Sequence, residues 1–141
     1  MTNSQSIHPL VEEILFDQKA ISEGVSKLAQ VLNKKYSEKN SNVIFVGVLK
    51  GCLPFKMELI KHLEIDLKID FMVVSSYFGG VEKRYQKPKL ILDADLDLAN
   101  SDIVIVEDII ETGTTIATVK KHLGLKKPNS IKVVSLIYKE D

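Results

Sequence analysis

Apolar residues fall into two kinds of pattern along this chain, and the alternation between them sets the expected architecture. Ile21, Val25, Leu28, Ala29 and Leu32 recur at helical spacing with Lys, Glu and Gln between them, which predicts an amphipathic helix over 18–35. The polar stretch from Ser37 to Asn42 ends it as a loop. "VIFVGVL", 43–49, is an unbroken apolar run rich in β-branched residues, the pattern of a strand covered on both faces. "KGCLPF" then turns the chain, with Pro54 placed for the first turn of a helix along which Phe55, Leu59 and Leu63 line one face.

Residues 67–77, "LKIDFMVVSSY", read as a second strand, and 78–88 as a loop with two glycines. "KLILDADLDL" alternates acid with apolar residues from Leu92 to Leu98, which predicts a half-exposed strand followed by a turn. "IVIV", from 103, begins a further buried strand. Ile116, Val119, His122 and Leu123 mark a helix, Pro128-Asn129-Ser130 breaks it, and "IKVVSLIY", 131–138, is the last strand. Strands alternating with helices imply an α/β domain, a mostly parallel twisted sheet flanked by helices. In such sheets ligands bind beyond the carboxyl ends of the strands. Lys50-Gly51, Ser76-Tyr77, the 107–115 segment and Lys139 all fall there.

Composition narrows the function classes. The 141 residues fit a single domain, and a 45% hydrophobic share suffices for one continuous core. Nineteen basic and nineteen acidic residues cancel, which argues against a nucleic-acid binder that works by bulk charge. One cysteine, Cys52, excludes an internal disulfide, and no Cys/His metal spacing occurs, so a reducing, cytoplasmic setting is the default expectation. The N-terminal residues lack the basic-then-apolar order of a signal peptide, and no apolar run reaches the ~20 residues that cross a bilayer, so no membrane association is expected.

The chemistry is concentrated in "IVIVEDIIETGTT", 103–115. A buried strand runs into Glu107 and Asp108, and Glu111 then leads into Thr112-Gly113-Thr114-Thr115. A hydroxyl-rich turn opening a helix presents backbone N–H groups and the positive end of the helix dipole, which suits a phosphate. No GxxxxGK[ST] and no GxGxxG follows a strand, so the usual nucleotide-binding loops are excluded. Carboxylates at the strand end can accept from neighbouring sugar hydroxyls or hold a hydrated Mg²⁺. Together these features describe a cradle for a ribose 5-phosphate.

Two acids between hydrophobic pairs, a third acid and then Thr-Gly-x-Thr resembles the phosphoribosyl-pyrophosphate (PRPP) signature of type I phosphoribosyltransferases. "VEDIIETGTT" is most similar to the hypoxanthine-guanine branch. The resemblance extends through "GVLKGCLPF" (47–55), "DFMVVSSY" (70–77) and "VVSLIYK" (133–139), and so covers the chain from about residue 12 onward. It implies the fold of that family and a purine-salvage transfer of 5-phosphoribosyl from PRPP to hypoxanthine or guanine with Mg²⁺, in a homodimer or homotetramer.

The resemblance also implies a role for each matching residue. Leu49-Lys50-Gly51 matches the pyrophosphate loop, in which family members hold a cis peptide before the lysine. Ser76-Tyr77 matches a loop that closes over the reacting centre and excludes water. Glu107 and Asp108 would take the ribose hydroxyls directly or through Mg²⁺, and 111–115 would wrap the 5′-phosphate. Glu111 stands where the family usually has Asp, as general base or electrostatic partner of the purine N7. Lys139 matches the lysine that donates to O6 of a 6-oxopurine. Family members continue for several dozen residues beyond the position of Asp141, so a domain over 1–141 that lacks the usual C-terminal purine-binding segment is expected. Two alternatives share the fold: a non-catalytic, nucleotide-sensing regulator of RNA, and a shortened, inactive PRPP-binding homologue.

Overall fold

In the computed structural model, residues 8–38, 42–75 and 88–140 are described. The elements run α1 (Gln18–Lys35), β1 (Val43–Leu49), α2 (Leu53–Lys61), β2 (Leu67–Ser75), β3 (Lys89–Leu92), β4 (Asp102–Ile110), α3 (Thr114–Gly124) and β5 (Ser130–Tyr138). They form one five-stranded sheet in the order β3-β2-β1-β4-β5. Strands β1, β2, β4 and β5 are parallel, and β3 is an antiparallel edge. This is the expected mostly parallel sheet.

Local chemistry sets the boundaries. The Asp17 carboxylate accepts from the Ala20 N–H at 2.8 Å and so starts α1, while Lys34 and Lys35 sit in its last turn against the negative end of the dipole. The run 43–49 is a central strand with six of its seven residues buried, because each face carries helices. On one face Val25, Ala29 and Leu32 of α1 and Phe55 and Leu59 of α2 pack on Val43, Phe45, Val104 and Val106. On the other, Ile116, Val119 and Leu123 of α3 pack on Ile44, Val46, Ile103 and Ile105, with Met72 and Leu98 alongside. Each fully buried Ile, Leu or Phe in these layers contributes about 1.5–3 kcal/mol.

Three sequence expectations are corrected. The alternating stretch to Leu98 is strand only as far as Leu92. Carboxylates take its backbone N–H groups in place of a strand partner: Asp93 Oδ1 accepts from the Ala94 N–H at 2.7 Å, and Asp70 Oδ2 of β2 accepts from the Asp95 and Leu96 N–H groups at 2.9 and 2.8 Å. Side-chain capture of this kind competes with strand pairing. Leu63 lies past the end of α2 and reaches the core from the following turn. Thr114 and Thr115 belong to the first turn of α3 rather than to the loop before it. No helix among the described residues is long and apolar enough to cross a membrane.

Candidate active site

The carboxyl ends of β1, β4 and β5 bring together Lys50-Gly51, Glu107 to Thr115 and Lys139. The peptide bond between Leu49 and Lys50 is cis, as the resemblance implies. Just beyond it, Gly51 lies against β4: a Cβ on this residue would stand 2.5 Å from Asp108 Oδ2 and 2.9 Å from its Cγ. Only glycine lets the backbone approach a carboxylate this closely. The loop after β1 and Asp108 near the carboxyl end of β4 are therefore in direct contact.

The two acids differ in setting. Glu107 is 9% exposed. Burial, the carboxyl–carboxyl hydrogen bond to Asp108 and the charge of Asp108 push its pKa up from 4.5 to about 7, although the Asp108 N–H donating to Oε1 at 3.1 Å opposes the shift. Asp108 is half-buried and its Oδ1 accepts from the Ile109 N–H at 2.8 Å. With Asp108 beside it, the buried Glu107 carboxylate is costly to keep ionised. A cation or a pair of sugar hydroxyls would relieve that cost. Among the described residues no group of three or more acidic, His or Cys side chains could hold a metal, so these two could supply only part of a coordination shell.

After Glu111 the chain turns through Gly113, whose φ of 76° is left-handed, into α3. Gly113 supplies no side-chain cap hydrogen bond; the Thr114 N–H donates to Thr112 Oγ1 at 3.4 Å, and the N–H groups that follow it in the first turn can meet an anion. Thr112 Oγ1 and Thr114 Oγ1 lie 3.0 Å apart beside them, and the Thr118 hydroxyl donates back to the Thr114 carbonyl at 3.0 Å.

At the far side of the turn Lys139 Nζ donates to Glu111 Oε1 at 2.7 Å. The backbone sets this pair up: Ile110 is paired with Tyr138, and the Lys139 N–H donates to the Ile110 carbonyl at 2.9 Å. The Lys139 hydrogen bond and charge hold the Glu111 carboxyl below the usual carboxylate range. Ser76 and Tyr77 lie outside the described residues. Sequence reasoning passed over Lys56 and Ser135. The Ser135 hydroxyl donates to the Ile137 carbonyl at 2.7 Å and lies 3.4 Å from the Asp108 carbonyl.

An α/β sheet carrying a helix N-terminus, an acid pair and a glycine loop at its carboxyl edge is the frame of a phosphoribosyl-binding domain. The chain belongs to the phosphoribosyl transferase domain family, whose model matches residues 12–141. It is 40% identical over 131 residues to the hypoxanthine-guanine phosphoribosyltransferase of Streptococcus pyogenes serotype M3 (strain ATCC BAA-595 / MGAS315), covering 93% of this chain and 71% of that protein. It is 41% identical over 137 residues to the protein of the same name from Lactococcus lactis subsp. lactis (strain IL1403), covering 97% and 73%. Among solved structures, a hypoxanthine phosphoribosyltransferase from Staphylococcus aureus superposes with a TM-score of 0.82 at 37% identity, over 92% of this chain and 68% of that one.

Proposed function

We propose that this chain is a purine-salvage phosphoribosyltransferase that moves 5-phosphoribosyl from PRPP to a 6-oxopurine, hypoxanthine or guanine, and releases pyrophosphate. The observation that carries the choice of base is the Lys139–Glu111 pair. An ammonium donor and a carboxylate acceptor stand 2.7 Å apart beside the turn. A 6-oxopurine offers the complement on one edge, O6 as acceptor next to N7–H as donor. Adenine presents an amino donor to the ammonium instead.

In this reading the N–H groups of α3 and the hydroxyls of Thr112, Thr114 and Thr115 hold the 5′-phosphate, and the backbone of Leu49-Lys50-Gly51 holds the pyrophosphate. Glu107 and Asp108 take the ribose hydroxyls. The bond from C1′ to the pyrophosphate oxygen breaks, the bond from C1′ to N9 of the base forms, and the N7 proton passes to Glu111. Little covalent help is needed beyond positioning and stabilisation of the developing charge. Mg²⁺, held by Glu107 and Asp108 with oxygens of PRPP, would neutralise the leaving group, and the crowding of these two acids fits such a counter-ion. A homo-oligomer in a reducing, cytoplasmic setting completes the proposal.

The RNA-regulator alternative has no comparable observation behind it, since charge sums to zero and the named relatives are transferases. Pyrophosphate release from PRPP tests the proposal with hypoxanthine, guanine, xanthine, adenine and uracil in turn. Turnover is expected with 6-oxopurines and not with adenine or uracil. Turnover with adenine alone would refute the role given to Lys139. No turnover with any base, alongside PRPP binding in a calorimeter, would show a PRPP-binding protein without the transferase step.

A further inference from the structure

Lys56 lies in the first turn of α2 with none of its surface exposed. Its ammonium donates to the Phe45 carbonyl of β1 at 2.9 Å and to the Asp70 carbonyl of β2 at 2.7 Å, and it stands 3.9 Å from the centre of the Phe71 ring. Gly47 makes the space. A Cβ there would lie 3.0 Å from Lys56 Cδ, 3.2 Å from its Nζ and 2.8 Å from Cys52 Sγ. The glycine in an otherwise unbroken apolar strand and the lysine on the inner side of a helix are thus one feature.

Stability does not account for it. A buried charge must recover the cost of leaving water, and a hydrophobic side chain of similar volume is often as good or better. Burial lowers the pKa of this lysine to about 8, the sign of that cost. Its connections lead to the site. The Lys56 N–H donates to the Cys52 carbonyl at 2.8 Å, and the Leu53 N–H to the Lys50 carbonyl at 3.2 Å. These bonds tie the ammonium through one helical turn to the Lys50-Gly51 backbone that abuts Asp108.

We infer that Lys56 is a positioning residue for the loop 49–51: its ammonium pins the start of α2 to the main chain of β1 and β2, and thereby fixes the backbone that receives pyrophosphate. The inference rests on the assignment of that loop in the proposed function. The α3 turn, which would hold the 5′-phosphate, hangs from β4 and is independent of this tie.

Calorimetry in the presence of Mg²⁺ with PRPP, inorganic pyrophosphate and ribose 5-phosphate separates the cases, comparing wild type with Lys56→Met. Methionine keeps an unbranched chain as far as the ε position and removes the donors. PRPP and pyrophosphate are expected to bind roughly tenfold more weakly, and ribose 5-phosphate within about twofold of wild type, as loss of one positioning contact implies. Unchanged affinities, or equal weakening of all three, overturn the inference, the latter because it marks a general structural role. A wild-type chain that binds ribose 5-phosphate but neither PRPP nor pyrophosphate overturns the loop assignment and the inference with it. Gly47→Ala provides a second variant that retains the lysine while crowding it. It should show the same selective loss, and equal weakening across the three ligands counts against the inference in the same way.

Discussion

Replacing Glu107 with Gln should make the protein more stable at pH 8 and leave its stability nearly unchanged at pH 5. Burial and Asp108 raise the Glu107 pKa from 4.5 to about 7. Between those values the native state binds more protons than the unfolded chain, so stability falls as pH rises through this window. With about 1.4 kcal/mol per pKa unit, the loss reaches about 3 kcal/mol above pH 7 and fades toward pH 4.5. Glutamine is neutral at every pH, and its carbonyl can keep the bond from the Asp108 N–H. For a chain of this length 1 kcal/mol moves Tm by about 3–4 °C, so the variant should melt about 10 °C above wild type at pH 8. Thermal unfolding at both pH values, followed by circular dichroism, measures the difference. An equal offset at both, or a variant that melts lower at pH 8, refutes the reasoning. The same variant should bind Mg²⁺-PRPP more weakly.

Four further outcomes follow from the same geometry. Asp108→Asn should weaken PRPP binding by calorimetry far more than it changes Tm, and a protein that fails to fold would remove the ribose role. Lys139→Gln should lower kcat/KM for a 6-oxopurine by roughly 10²-fold, the scale seen when one preorganised donor is lost, while PRPP affinity holds; its ion pair is exposed, so Tm should not move measurably. Glu111→Asp should disengage the carboxylate from Lys139, which a pH titration of the shortened side chain by NMR would register as a return toward the ordinary carboxylate range. Gly113→Ala places a side chain at φ 76° and should cost about 1 kcal/mol in urea unfolding, together with weaker ribose 5-phosphate binding.

Much of this molecule is legible along the chain because its signals are local. The helix over 18–35 and the strand over 43–49 sit at their expected bounds, since an N-capping Asp17, a 3.6-residue period and an unbroken apolar run need no tertiary information. The stretch from Asp93 to Leu98 misleads because its alternation copies a strand, while the carboxylate that captures its N–H groups, Asp70, is more than twenty residues away. The site divides in the same manner. Glu107, Asp108 and the Thr-Gly turn form a contiguous motif, and their proximity to Lys139 follows from β4 pairing with β5. That Gly51 abuts Asp108, that Glu107 is buried and that Lys56 fills the space above Gly47 depend on packing between elements distant in sequence. Lys56 left one trace, a cation between Phe55 and Leu59 on the inward face of its helix.

Glu107 is adjacent to Asp108, and Lys56 is tied through one helical turn to the Lys50-Gly51 backbone that Asp108 meets; these two buried charges titrate in opposite senses. The Lys56 pKa falls from 10.5 to about 8, so above pH 8 the native state binds fewer protons than the unfolded chain. Its contribution to stability therefore rises from pH 8 to 10.5, by about 3 kcal/mol. The contribution of Glu107 has by then been lost, between pH 4.5 and 7. The two together place their greatest cost near pH 7–8, whereas folded proteins in general are most stable between about pH 5 and 8. Roughly 6 kcal/mol is a large fraction of the 5–15 kcal/mol available to a domain. Charges kept at such a cost beside one backbone contact accord with the ligand site proposed there, although the Lys56 ammonium also satisfies the Phe45 and Asp70 carbonyls. Lys56→Met should abolish the rise above pH 8, measured as the difference in unfolding free energy from the parent in a Cys52→Ser background, because the thiol and the ammonium titrate against each other, so that the titration of Tyr36 cancels. A difference that stays constant from pH 7 to 10.5 would show that the lysine titrates alike in the native and unfolded chain and would remove its share of the cost.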